Sequence, residues 1–142
     1  MIVYKRHTHY HETDQMGVIH HSKYLCYLEE ARIFMLDQIG ISYKKMEEMG
    51  IISPILSINV DYIKACKFDE DLDIELKITK YSGIQIFVSY EIKEHNSQEL
   101  RIKATSRSCF IKDNKVISLK RECPEYDLKL KELEERQWNI LF

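Results

Sequence analysis

Apolar residues dominate the segment SKYLCYLEEARIFMLDQI, residues 22–39, at the spacing typical of a helix. Further apolar side chains project from the other sides of this helix: Tyr24, Cys26, Tyr27, Ile33 and Phe34. A helix that is apolar on most of its circumference has to be covered on most sides. Gly40 stands where helices commonly end, and Ser42 can cap a second, short helix that closes at Gly50. The pattern therefore predicts a long, largely covered helix followed by a short one.

Beyond residue 55 the period of the pattern changes from helical to alternating. Apolar and polar residues alternate, or nearly so, in four segments: 56–62, 72–78, 84–92 and 100–111. Strict alternation is typical of half-buried β-strands. Turn-forming tracts separate the later segments and centre on Ser82, Asn96 and Asn114. Connections this short predict that neighbouring strands run antiparallel.

A further strand is predicted at the N-terminus, over residues 2–10, and a charged helix, PEYDLKLKELEERQ, near the C-terminus. The apolar face of the predicted sheet needs an apolar partner, and the helix over residues 22–39 can supply it. We therefore expect an α+β fold in which a curved antiparallel β-sheet is wrapped around a long central helix. A length of 142 residues fits one domain, which we assign to residues 1–142.

Composition narrows the range of functions. The chain is 44% hydrophobic and 31% charged, a balance typical of globular proteins, and its formal net charge is -2. Without an excess of Lys and Arg we expect neither a nucleic acid nor an anionic membrane as partner. The apolar runs are too short to cross a hydrocarbon core of ~30 Å, so no membrane span is expected. Because MIVYKRHTHY does not resemble a signal peptide, we expect a cytoplasmic protein.

Ionisable groups are concentrated between the first strand and the long helix, in the segment HETDQMGVIHHS. Asp14 and Gly17 predict a tight turn here, just ahead of the helix start. The first amides of a helix lack internal partners and lie at the positive end of the helix dipole, so they can stabilise a developing oxyanion. If the sheet wraps the helix, this start lies partly inside the protein. Asp14 could then act as a nucleophile or as a base for water. The alternative is that Asp14 only stabilises the turn.

Residues 10–32, YHETDQMGVIHHSKYLCYLEEAR, resemble the signature of the hotdog-fold acyl-CoA thioesterases of the 4-hydroxybenzoyl-CoA thioesterase class, particularly their Tol-Pal-associated branch. With the later strand patterns, the resemblance covers most of residues 1–125. It implies a hotdog fold and hydrolysis of an acyl-CoA to CoA and a free carboxylic acid. It also implies that the catalytic carboxylate falls on Asp14, and the backbone N–H that polarises the thioester carbonyl on His21.

The resemblance also guides the assignment of substrate contacts, which we predict at Gly17, Val18, Ile19, Tyr24 and Asn59. The ring of Tyr24 lines the pocket or packs on the sheet, and the imidazole of His21 contacts substrate or only packs. Glu29 and Arg32, spaced i and i+3 on the helix, are expected to pair with each other.

The resemblance further implies a homodimer in which two subunits pair edge to edge, with active sites at the interface and dimers commonly associating into tetramers. Such pairing would cover the unpaired edge of a curved sheet. Acyl-CoA is the expected substrate, and no cofactor or metal is expected. Acyl chain length, the choice between CoA and acyl carrier protein, and the covalent or general-base route are not fixed by these patterns.

Two alternatives remain open. His7, His9 and His11 alternate, so they would project from one face of the predicted first strand, a spacing that can bind zinc. A hotdog protein could also bind acyl-CoA or acyl carrier protein without hydrolysing it. The presence of Asp14 argues against this non-catalytic binding module.

Overall fold

The computed structural model describes residues 1–141, with side chains up to Gln137. Its strands are β1 (Ile2–His7), β2 (Ile55–Tyr62), β3 (Asp71–Tyr81), β4 (Gln85–Glu94), β5 (Leu100–Cys109), β6 (Ile111–Lys112) and β7 (Lys115–Val116). Its α-helices are α1 (His21–Gln38), α2 (Tyr43–Glu48), α3 (Leu119–Glu122) and α4 (Pro124–Leu141), and a short 3-10 helix spans Tyr10–Glu12. No helix in this part of the chain is both long and apolar enough to cross a membrane.

The main sheet has five antiparallel strands in the order β1-β3-β4-β5-β2. Tight turns join β3, β4 and β5 as neighbours, whereas β1 and β2 occupy the two edges. Helix α1 packs against β1 and β3 on one face of the sheet, and α4 also packs on β3. The predicted α+β arrangement of an antiparallel sheet and a long helix is confirmed.

Alternation along the strands builds the core between sheet and helix. In β3, Ile74 and Ile78 are buried and point toward the helices, while Glu75 and Lys77 between them face outward. Helix α1 contributes Tyr27 and other buried side chains to the same cluster. Full burial of one Ile or Leu side chain stabilises a fold by about 1.5–3 kcal/mol, so this layer holds α1 on the sheet.

The first strand is shorter than the pattern predicts, because it ends at His7 rather than near residue 10. Thr8 leaves the ladder: its N–H donates to the Glu70 carbonyl at 2.9 Å, and its hydroxyl donates to the Lys67 carbonyl at 2.7 Å. The carboxylate of Glu12 then accepts the His9 N–H at 2.7 Å and closes the 3-10 turn. These bonds replace the last residues of the predicted strand with a turn that aims the chain toward α1.

Coverage of α1 is also less complete than expected. Leu25 and Ile33 remain 42% and 39% exposed in the single chain. The neighbouring edge strand β2 is exposed along most of its length, including Ile58 and Tyr62 on the helix side. A strand at the edge of a sheet has no neighbouring strand on one side, so its apolar side chains stay partly exposed to solvent. One apolar side of the protein therefore stays open.

Asp73 on β3 ties the outer parts of the sheet together. Its carboxylate is nearly buried and accepts from Lys5 on β1 at 2.7 Å, from His95 at 3.0 Å and from Gln98 at 3.0 Å. Burial alone would raise the pKa of this carboxyl, but the hydrogen bonds from these three partners outweigh it and lower the pKa to about 2, from an ordinary value of 3.8.

We expect Asp73→Asn to remove an acid-sensitive part of the stability. Because the pKa is lowered on folding, the ionised carboxylate stabilises the folded state above about pH 4, and this contribution disappears as pH falls toward 2. After allowance for solvent screening it is about 1 kcal/mol at neutral pH. Urea unfolding of wild type and variant between pH 7 and pH 2 measures it, with Asp113→Asn in the β6–β7 turn as control. A stability difference that does not shrink with acidification would contradict the assignment.

Candidate active site

Residues 12–20 form a tight antiparallel loop between the 3-10 helix and α1. The His20 N–H donates to the Glu12 carbonyl at 2.9 Å, Thr13 pairs with Ile19, and the Asp14 N–H donates to the Val18 carbonyl at 2.9 Å. Gly17 completes the tip with a φ of 77°, a left-handed conformation that side chains of L-residues rarely adopt. Apart from Gly17 itself and its two chain neighbours, no described residue has an atom within 4 Å of the position where a Cβ on Gly17 would stand.

The Asp14 carboxylate is half-buried at this tip. Its Oδ1 accepts the Met16 N–H at 2.8 Å, as expected for an aspartate that stabilises a turn. Its Oδ2 has no hydrogen-bond partner among the described main-chain and side-chain groups. The turn role and a chemical role are therefore compatible, because one oxygen anchors the side chain and the other remains available.

The start of α1 presents one available backbone donor. His20 is the N-cap, and its Nδ1 accepts the Ser22 N–H at 3.2 Å. The Lys23 N–H donates to the His20 carbonyl at 2.9 Å. His21 is the first helical residue, and its N–H has no acceptor in the described part of the chain. The cap thus satisfies the following amides and leaves the His21 N–H at the positive end of the helix dipole.

In the single chain this helix start lies at the surface, contrary to the expectation that it is partly inside the protein. His21 and Ser22 are exposed. Tyr62, the last residue of β2, covers one side: its hydroxyl donates to the His21 carbonyl at 3.2 Å, and the two rings meet edge to face at 6.4 Å. Strand β2 ends at Tyr62, and His21 remains exposed to solvent.

The predicted substrate contacts fall into two groups. Gly17, Val18 and Ile19 share the loop with Asp14; Gly17 is exposed, Val18 half-buried and Ile19 buried. Asn59 is exposed on β2, on the sheet face opposite the helices, so one chain does not bring it to the helix start. Their contact with substrate stays a prediction.

Tyr24 is buried, and its ring packs edge-on against Tyr27 and Tyr62 at centroid distances of 6.0 and 5.7 Å. Its hydroxyl accepts the Cys66 backbone N–H at 2.8 Å. Burial raises the pKa of this hydroxyl, so it stays protonated. Tyr24 thus has the packing role that was one of the two predicted for it, and a substrate contact stays a prediction.

A surface groove of about 320 Å³ lies away from this loop, on the outer face of the sheet. Asn59, Glu75, Glu91 and Lys103 are among its lining residues, and neither Asp14 nor His21 takes part. The groove therefore does not define the candidate site. The chemistry of Asp14 and the helix start is a stronger guide, because a carboxylate and a backbone donor meet the needs of acyl transfer.

The sequence model of the Thioesterase-like superfamily matches residues 8–135. The chain belongs to this superfamily. The Bacillus subtilis protein named "Putative acyl-CoA thioesterase YneP" is 34% identical over 82% of this chain and 86% of its own. A crystal structure of a DHNA-CoA thioesterase from Staphylococcus aureus superposes with a TM-score of 0.90 and 30% identity, covering 96% of this chain and 93% of that one.

A Synechocystis 1,4-dihydroxy-2-naphthoyl-CoA thioesterase structure, 21% identical with a TM-score of 0.83 over 93% of this chain and 96% of its own, shows the shared fold alone. These neighbours confirm the predicted hotdog thioesterase fold, and the superfamily match with the Bacillus subtilis relative confirms the enzyme class, a thioester hydrolase. Assignment to the Tol-Pal-associated branch stays a prediction.

Two further residues contact the candidate site although the sequence did not predict a role for them there. The pattern predicts Tyr62 only as a strand residue, whereas its hydroxyl donates to the His21 carbonyl. The resemblance includes Glu12 only as one residue of the motif, whereas this residue is 3% exposed and its side chain is bonded to both the 3-10 turn and α1. The available signal was its position three residues after His9, the spacing at which a glutamate closes back on the backbone N–H of a helical cap.

Glu29 and Arg32 pair as predicted, with Arg32 Nη2 at 2.8 Å from Glu29 Oε1. The three histidines do not share a strand face, because β1 ends at His7. His7 instead bonds Asp71 at 2.7 Å and Asp69 at 3.0 Å. Among the described residues, no group of three or more His, Cys, Asp or Glu side chains is arranged to hold a metal ion.

Proposed function

We propose that this thioesterase hydrolyses an acyl-CoA to CoA and a free carboxylic acid, with Asp14 and the His21 N–H as its reacting groups. One observation carries the assignment: a single short loop holds a carboxylate with one available oxygen and leads directly to a helix N–H without an internal acceptor. The names of the relatives, an acyl-CoA thioesterase and a DHNA-CoA thioesterase, support the same substrate class.

The roles follow from charge. The His21 N–H, at the positive end of α1, donates to the thioester carbonyl oxygen and stabilises the negative charge that develops there. Asp14 either attacks the carbonyl carbon or removes a proton from the water that does so. The CoA thiolate leaves as the C–S bond breaks, and water supplies the oxygen of the product acid. The side of the loop that faces the substrate is formed by Gly17, Val18 and Ile19.

A second copy of the chain would complete the site. The His21 donor is exposed in one chain, whereas oxyanion stabilisation is strongest where water is excluded. Strand β2 has an unpaired flank, exposes Ile58 and Tyr62, and contacts His21 through Tyr62. Pairing of β2 with β2 of another copy would satisfy the edge, cover the helix start and bring Asn59 beside the partner strand. We include this homodimer, and its association into a tetramer, in the proposal.

Asp14→Asn is expected to lower the rate of CoA release by about 10²–10³, because it removes the charge and basicity of the reacting oxygen while keeping the bond to the Met16 N–H. A thiol reagent follows CoA release across aliphatic and aromatic acyl-CoA substrates, including 1,4-dihydroxy-2-naphthoyl-CoA. Asp37→Asn, at an exposed aspartate on α1, is the matched control. Equal rates for wild type and Asp14→Asn would show that Asp14 is not a reacting group.

His21→Pro tests the backbone donor itself. Proline is favoured at the first position of a helix, and His20, with a φ of -60° and a ψ of 137°, already has the conformation preferred before proline. The substitution therefore deletes the N–H with little cost to the helix, and kcat should fall by about 10²–10³. His21→Ala keeps the N–H and removes the imidazole, so it serves as control. If proline and alanine have equal effects, the N–H is not the oxyanion donor.

Ile58→Arg should separate the subunits, because a charge on the helix side of β2 cannot be buried without a partner. Light scattering coupled to gel filtration should give a dimer or tetramer for wild type and a monomer for the variant, with loss of hydrolysis. Leu128→Arg, which changes an exposed leucine on α4, should keep the wild-type assembly. A fully active wild-type monomer would refute the shared site.

A further inference from the structure

Glu12 is a buried carboxylate two residues before Asp14, with a fractional exposure of 3%. Its Oε1 accepts the His9 backbone N–H at 2.7 Å and the Tyr27 hydroxyl at 2.8 Å. Its Oε2 accepts from Nη2 of Arg6 at 2.7 Å. A buried carboxylate with both oxygens bonded holds its partners in one arrangement, since each broken bond would leave a costly unpaired group.

The main chain of Glu12 is bonded as well. Its N–H donates to the His9 carbonyl at 3.0 Å, and its carbonyl accepts the His20 N–H at 2.9 Å. His20 caps α1 and directly precedes His21. Glu12 therefore reaches α1 twice, through Tyr27 in the helix and through the residue before its first turn. Glu12 therefore connects the loop that contains Asp14 to the helix that contains the His21 N–H.

Electrostatic interactions with Arg6 add to the hydrogen bonds of Glu12. Arg6 also pairs with Glu30 at 3.0 Å, and its guanidinium lies 4.6 Å from the centre of the Tyr27 ring. Burial would raise the pKa of Glu12, but the bonds from His9 and Tyr27 and the charge of Arg6 outweigh it and lower the pKa. Burial and the bond to Glu12 raise the pKa of the Tyr27 hydroxyl, so it remains a donor. The network therefore stays charged and bonded at neutral pH.

We propose that Glu12 is a positioning residue of the thioesterase reaction, which fixes the placement of the Asp14 carboxylate relative to the His21 N–H. The inference rests on the proposed roles of those two groups. Glu12 itself is buried and fully bonded, so it acts through the loop and not on the substrate. Both reacting groups must meet one thioester at the same time, and a misplacement of about 1 Å can cost about 10² in rate.

This role has a kinetic signature that general destabilisation lacks. The substrate binds at the surface of the loop, whereas Glu12 lies beneath it. Loosening of Glu12 should therefore weaken interactions made in the transition state more than ground-state binding, which lowers kcat and leaves KM nearly unchanged. Replacing a carboxylate that has only a structural role would lower the unfolding temperature without lowering the kcat of the molecules that remain folded.

The test compares Glu12→Gln with Asp127→Asn. Glutamine keeps the size of the side chain but removes the charge that faces Arg6. Asp127 is a matched control, because it is also buried, accepts from a tyrosine hydroxyl (Tyr81) and pairs with a cation, Lys131, at 3.0 Å, on the α4 side of the sheet. For each protein, kcat and KM are measured on the acyl-CoA that wild type hydrolyses fastest, well below the unfolding temperatures of both variants.

We expect Glu12→Gln to lower kcat by about 10–100-fold with KM within about threefold, while Asp127→Asn keeps kcat within about twofold. Hydrogen exchange over residues 12–21 should accelerate in Glu12→Gln only, since the bond from His20 loosens. If Glu12→Gln does not fold, Tyr27→Phe carries the test: it deletes one bond to Glu12, keeps the ring in the core and should lower kcat by a smaller factor.

The outcomes separate this inference from the function on which it rests. The positioning role alone is overturned if hydrolysis depends on Asp14 but kcat is unchanged in Glu12→Gln. If Glu12→Gln does not fold, an unchanged kcat in Tyr27→Phe has the same meaning. An equal loss of kcat in Asp127→Asn also overturns it, because the effect would then be a general one. Wild type without hydrolysis overturns the proposed function, and the positioning role with it.

Discussion

The hydrogen bonds between residues 12–14 and 18–20 are the constraint on which the candidate site depends. They fold a short segment back on itself, so that a carboxylate at its tip and a helix start at its end belong to one rigid unit. The sheet and α1 supply the platform: burial along β3 and α1 fixes the helix, and Glu12 fixes the loop to that helix. Without this pairing, Asp14 would be an ordinary aspartate on a connecting segment.

Local patterns predicted much of this architecture. Apolar periodicity located α1 and the strands β3 to β5, and Asp14 with Gly17 indicated the turn, because each signal is contained within a few neighbouring residues. The end of β1 was missed because the bonds of Thr8 go to Lys67 and Glu70, about sixty positions along the chain. The contact between His21 and Tyr62 was missed for the same reason, since it joins residues 41 positions apart. A pattern among neighbouring residues does not predict contacts between residues that are far apart in the sequence.

The open side of the chain and the chemistry of the site are two views of one feature. Strand β2 runs along the apolar edge and ends in Tyr62, which bonds to the carbonyl of His21. The same strand therefore borders both the surface proposed for self-association and the proposed oxyanion donor. In a superfamily of thioesterases, this arrangement would link assembly to catalysis, because whatever covers the edge also controls the access of water to the donor.

Gly17 combines a positive φ with empty space around the position of its missing Cβ. Chirality, and not crowding, is therefore what keeps L-side chains away from the tip of the loop. A D-alanine placed there by chemical ligation would adopt the same backbone angles without strain and would restrict the unfolded chain. The loop is thus a place where a mirror-image residue could stiffen the protein beside Asp14 without changing the shape of the backbone.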